Sequence, residues 1–199
     1  MGAVARAITP CYEASPPCVA ALLAMPNLPA TPYDLRADAD FLKDLPYDPE
    51  VLFFDQILEI DEARGFLRCR MPTDQPMPFV SSQRAHPILH PRHVAGAVMV
   101  HATGMLGFVH AYYLLGLRHH EGWIGYGTHI HRVVFRKLVP PGSPIEATCQ
   151  ATRSRIGKTR HMIRYTFELR HEGAVCYEGD QTAVWMRVDA SAPPSLGDA

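Results

Sequence analysis

"VAGAVMVHATGMLGFVHAYYLLGL", residues 94–117, is the longest greasy run in the chain, and its reading decides the fold. Apolar side chains fall on every helical face rather than along one stripe, so a helix here has to be enclosed by protein. His101, His110 and the interspersed glycines make the run too polar and too loose for a membrane span. Gly96, Gly104 and Gly107 each cost ~1 kcal/mol of helix propensity relative to alanine. Backbone bared in this way suits close approach of a sheet or a ligand. Gly116 stands where a left-handed residue would end the helix.

Working outward, the flanks read as strands. "EVLFFDQILEI" (50–60) is rich in strand formers, and "RGFLRCRMP" (64–72) alternates with period two. A loop with Pro72, Pro76, Pro78, Pro87 and Pro91 leads to the helix. Beyond it lie "WIGYGTHIHRVVFRKLV" (123–139), "PIEATCQATRSR" (144–155), "TRHMIRYTFELRH" (159–171) and "VCYEGDQTAVWMRV" (175–188). Turn signals "PPGS", "IGK" and "EGA" separate them, which predicts a long antiparallel meander. One buried helix against one large curved antiparallel sheet is an α+β architecture.

Residues 41–188 are therefore expected to form the body. Residues 1–40 read as a loosely ordered, Pro/Ala-rich arm, and 189–199 as a tail disordered by composition. "CVAALLAM" is short and has only Arg6 upstream, a poor signal peptide, so cytoplasmic residence is expected. Net charge is −1 and 20% of residues are charged, which argues against a nucleic-acid or membrane-surface binder. Five cysteines, an odd number with no close pair in the body, argue against a disulfide framework or zinc knuckle and for a reducing compartment.

Four stretches, in order, resemble the hotdog-fold 3-hydroxyacyl carrier-protein dehydratases. "LPYDPEVLFFDQILEID" (45–61) resembles that family's opening strand and "AGAVMVHATGMLGF" (95–108) the start of its central helix. "VVFRKLVPPGSPIEATC" (133–149) resembles its crossing between sheet strands, and "TRSRIGKTRHMIRY" (152–165) its basic hairpin. The likeness spans about three quarters of the chain. It implies a hotdog, a curved antiparallel sheet wrapped around the helix. It also implies a substrate that is an acyl thioester of coenzyme A or acyl carrier protein, and no redox cofactor. The family is homodimeric, pairing edge strands and placing each site between two protomers. Its loop histidine corresponds here to His86, with His90 as a second candidate. Its carboxylate, five positions after the helix-start glycine, corresponds to His101 when counted from Gly96. This chain departs from the pattern: Ala95 replaces the proline before that glycine, and no Asp or Glu occurs between Asp74 and Glu121.

Dehydration of a 3-hydroxyacyl thioester needs a base for the α-proton, an acid for the departing hydroxyl and donors for the thioester oxygen. The first amides of a helix are unpaired, so the Gly96 N–H could serve as donor. His86 could be the base and His101 the acid, since an imidazole works in either direction near neutrality. Burial, however, disfavours an imidazolium unless an anion sits nearby. The competing reading makes His101 a core histidine bonded to a loop carbonyl, and His86 and His90 solvated loop residues. Thioester hydrolysis is the second reading, needing only a positioned water, a base and an oxyanion site. A non-catalytic acyl-thioester binder is the third, favoured by the missing acid. No metal is expected: His86, His90, His93 and His101 have Pro91 among them and no carboxylate nearby, and His129 and His131 merely share a strand face. Arg153, Arg155, Lys158 and Arg160, joined by Arg132, Arg136 and Lys137, could receive phosphates or an acidic carrier protein, or form a solvated hairpin. Tyr112 could line an acyl tunnel or pack on the sheet.

Overall fold

Residues 160–171 bury every second side chain from His161 to His171 without a break, the signature of a strand with one face on a core. The computed structural model describes residues 28–188 and places that strand in the interior of a single sheet. The elements run β1 (Tyr33–Asp34), α1 (Ala39–Asp44), β2 (Gln56–Asp61), β3 (Phe66–Met71) and α2 (Gly96–Leu114). Then follow β4 (Trp123–Phe135), β5 (Ile145–Ile156), β6 (Arg160–His171) and β7 (Ala174–Arg187). Every pairing is antiparallel, and the order across the sheet is β1-β2-β3-β5-β6-β7-β4.

The sheet turns its apolar face to α2. Leu67, Cys69, Ile145, Ala147, Cys149 and Ile163 are fully covered, as are Ala102, Leu106 and Val109 on the helix. Covering each large aliphatic or aromatic side chain contributes about 1.5–3 kcal/mol. Buried positions occur all around α2, as its evenly apolar sequence requires. The helix is shorter than residues 94–117. The Val94 N–H is spent on the Val139 carbonyl, 2.8 Å away. At the other end Gly116 takes φ 64°, and the Leu117 N–H closes back on the Ala111 carbonyl at 3.0 Å.

Two strand expectations need correction. The meander is not continuous: β4 pairs with β7 and β5 with β3, so residues 136–144 cross the sheet, as the resemblance implied. Pro140, Pro141 and Pro144 cannot donate to a hairpin ladder, while the Arg136 N–H holds the chain to β7 through the Cys176 carbonyl at 2.8 Å. The first strand starts at Gln56 rather than Glu50. Pro49–Val51 forms a single 3-10 turn and Phe53 adopts φ 61°, which breaks the extended run while leaving Leu52, Phe53 and Phe54 buried.

Part of the expected arm belongs to the body. Tyr33 pairs with Ile57, and Asp38 caps α1 by accepting the Phe41 N–H at 2.9 Å. Asp38 also accepts the hydroxyls of Tyr33 (2.9 Å) and Tyr113 (2.6 Å), tying β1 and α1 to the second half of α2. At the end of α1, buried Asp44 accepts the His119 and His120 amides and the His120 Nδ1–H, at 2.8, 2.9 and 2.6 Å. Burial pushes the Asp44 carboxyl up, but these bonds outweigh it and hold the group below the usual carboxylate range. Cys69, Cys149 and Cys176 are buried free thiols, raised by that burial and so unreactive. Residues 1–27 and 189–199, with Cys11 and Cys18, lie outside the described residues.

Candidate active site

Gly104 and Gly107 leave open space: a Cβ added at either meets no atom within 4 Å. That space belongs to a cleft between α2 and the sheet. Thr103, Gly104, Gly107 and Phe108 form its helix wall, and Gly125, Tyr126 and Gly127 of β4 lie at its edge. Tyr165 and Phe167 of β6, with Gln181, Ala183 and Trp185 of β7, form its sheet wall. Among the described residues, no Asp, Glu, His, Lys or Arg lines it.

The cleft has a polar end and an aromatic end. At the polar end the Gln181 amide donates to Thr103 Oγ1 at 2.8 Å and to the Tyr177 hydroxyl at 3.2 Å. Thr103 donates in turn to the Val100 carbonyl at 2.7 Å. Tyr177 reaches Gln181 by lying along its own strand over Gly179, where an added Cβ would stand 2.9 Å from the tyrosine oxygen. The second Gln181 amide atom, Oε1, accepts no hydrogen bond from the described residues. Burial raises the Tyr165 and Tyr177 hydroxyls, so both stay protonated donors. At the other end Phe108 and Trp185 meet edge to face, with centroids 5.2 Å apart. The indole lies on Gly125, whose Cβ would fall 2.1 Å from it.

The residues singled out from sequence stand elsewhere. His101 gives its Nε2 to the Val51 carbonyl at 2.9 Å and packs edge-on against Phe53 and Tyr47. That is the carbonyl-bonded arrangement, with the ring half-buried and outside the cleft lining. His86 and His90 pair backbone to backbone on an exposed loop, with N···O distances of 2.7 and 3.1 Å. His86 Nδ1 accepts the amides of Ile88 (3.2 Å) and Leu89 (2.9 Å), so it organises its own loop tip. No hydrogen bond or ring contact joins either residue to His101 among the described residues. Gly96 does permit a close approach, but of protein: its missing Cβ would lie 2.9 Å from the Phe135 ring. No side chain caps the helix start there.

The basic residues split into two groups. Arg132 and Arg136 both face Glu178, at 3.8 and 2.5 Å, and Lys137 donates to the His171 carbonyl at 3.1 Å, near the start of α2. Arg153, Arg155, Lys158 and Arg160 are exposed on the β5–β6 hairpin, whose tip meets Arg187 at the opposite end of the sheet. Tyr112 carries the Arg118 guanidinium over its ring at 3.5 Å and lines a second hollow at the far end of α2. The cleft's own polar residues, Thr103, Tyr177 and Gln181, were missed from sequence. For Tyr177 and Gln181 the signal was β7's period two, which places Tyr177, Gly179, Gln181, Ala183 and Trp185 on one face.

No family model matches the chain, and no curated protein matches it. Among solved structures, a mutant thioesterase of Pseudomonas aeruginosa is similar at 16% identity, covering 70% of this chain and 85% of its own, with a TM-score of 0.47. A thioesterase of Haemophilus influenzae aligns at 18% identity over 69% of this chain and 82% of its own, TM-score 0.46. A phenylacetic acid degradation-related protein of Ralstonia eutropha aligns at 16% over 64% and 82%, TM-score 0.42. The fold of this chain is the hotdog, an antiparallel sheet wrapped around one central helix that enters the chain between β3 and β4.

Proposed function

We propose that the cleft receives the acyl group of an acyl thioester, carried by coenzyme A or a carrier protein, and that its chemistry is hydrolysis rather than dehydration. The observation that carries this reading is the cleft itself: an apolar slot opened by two helix glycines, with the Gln181–Thr103 pair at one end. Elimination would need a base and an acid converging on adjacent carbons. The two histidines assigned to those tasks are engaged elsewhere, His101 on a carbonyl and His86 on its loop amides.

Hydrolysis asks for less. A water held by Gln181 Oε1 would be aimed at the thioester carbon, as a glutamine orients the attacking water in GTP hydrolysis. Its oxygen bonds to the carbonyl carbon, the carbon–sulfur bond breaks, and the thiol leaves with a proton that came from the water. The second reading, binding without turnover, is favoured by the absence of any carboxylate or imidazole in the cleft lining. A homodimer is proposed on separate grounds. The outer edge of β4, thirteen residues long, has no strand partner among the described residues, and Ile130, Phe135 and Leu138 are exposed on or beside it. Gly125–Gly127 of that strand border the cleft, so a partner paired there could complete the site.

Incubation with saturated, 2-enoyl and 3-hydroxyacyl-CoA discriminates among these readings. Free thiol from the saturated substrate supports hydrolysis, and Gln181→Met should then lower kcat at least about tenfold, ~1.4 kcal/mol of barrier. Appearance of a conjugated enoyl thioester from the 3-hydroxyacyl substrate would reinstate dehydration. Tight binding with neither product would leave the binder.

A further inference from the structure

Phe108 and Trp185 separate two hollows. On one side is the cleft, and on the other a narrower recess between α1 and the last turns of α2. Both residues line both spaces. The second hollow is walled chiefly by Phe41, Leu45, Tyr112, Leu117 and Trp123, with one carboxylate, Asp44, held by its three donors. We infer that the Phe108–Trp185 pair is the end stop that sets the length of acyl group the site accepts.

The inference rests on the thioester reading of the cleft and takes it further. Polarity gives the ligand a direction, with its carbonyl at Gln181–Thr103 and its tail at the aromatic pair. Thr103 to Phe108 is about 7.5 Å of helix axis, room for a short acyl chain such as butyryl or hexanoyl. Phe108 to Tyr112 adds roughly 6 Å, which a chain could occupy only if the stop were removed. Both members of the stop are held firmly. Phe108 also meets Tyr47 edge-on at 5.6 Å, while Trp185 is buried and rests on bare Gly125 backbone.

The test measures binding and hydrolysis of straight-chain acyl-CoAs from butyryl to palmitoyl in wild type, Phe108→Leu and Phe108→Ala, with circular dichroism to confirm folding. Phe108→Leu keeps an apolar side chain on the helix and guards against simple loss of structure in the alanine variant. Wild type should prefer the short chains. Both variants should shift the preference toward longer chains, with the ratio of long-chain to butyryl affinity rising by about fourfold per added methylene. An unshifted length profile, or a uniform loss at every length in a folded variant, would overturn the end stop alone. Failure of wild type to bind any acyl-CoA would overturn the thioester reading, and the end stop with it.

Discussion

Gly104→Ala and Gly107→Ala should make the protein more stable and less able to hold its ligand. An alanine in place of a helix-interior glycine gains ~1 kcal/mol, partly by restricting the unfolded chain. At most interior sites packing conflict cancels that gain. Here it should not, because the new Cβ meets nothing within 4 Å at either position. The double variant should therefore gain about 2 kcal/mol, and each kcal/mol should raise Tm by roughly 2–4 °C in a chain of this size. The same two methyl groups enter the cleft, each displacing about one ligand methylene, so acyl binding should weaken about fourfold per substitution. Urea titration and thermal melts read the first effect, and acyl-CoA binding by calorimetry reads the second. Gly96→Ala is the internal control. Its Cβ would stand 2.9 Å from the Phe135 ring, so it should lose the gain in stability and leave affinity unchanged. A less stable double variant would refute the open-space reasoning. A more stable one with unaltered affinity would mean that ligand goes elsewhere.

His110 is almost wholly buried, and that burial pushes its imidazole down from 6.5 to about 4. The unfolded chain thus binds a proton more readily than the fold. His110's contribution should be intact above pH 6.5 and fall away toward pH 4, with roughly 2 kcal/mol lost by pH 5. Denaturation curves of wild type and His110→Phe should converge by that amount between pH 7.5 and 5, and a constant difference would exclude the linkage. His101→Phe should remove the bond to the Val51 carbonyl and cost about 1 kcal/mol of stability, while kcat/KM stays unchanged. A tenfold loss of turnover in a folded His101→Phe protein would return His101 to the mechanism.

The architecture was legible because it rests on periodicity. A run apolar on every face had to be an enclosed helix, and the strands on either side declared themselves by alternation, most cleanly in β6. Helix glycines at 104 and 107 could be marked in advance as places of close approach. Which of them would meet protein and which would open on space could not. That depended on Phe135 reaching across from β4 to Gly96 and on nothing reaching the other two. The histidines make a related point: residue type shows what a side chain can do, and only its neighbours show what it is bonded to. His101 looked like a replaced acid, yet the turn at Pro49–Val51 places a carbonyl against its ring nitrogen. Gln181 and Thr103 lie seventy-eight residues apart, and their pairing appears only after β7 and α2 have packed. Local pattern therefore determined which segments are helix and strand, because propensity and periodicity act over a few residues. The tertiary structure alone decided where the cleft lies and what lines it, because a cavity is made by side chains brought together from distant parts of the chain.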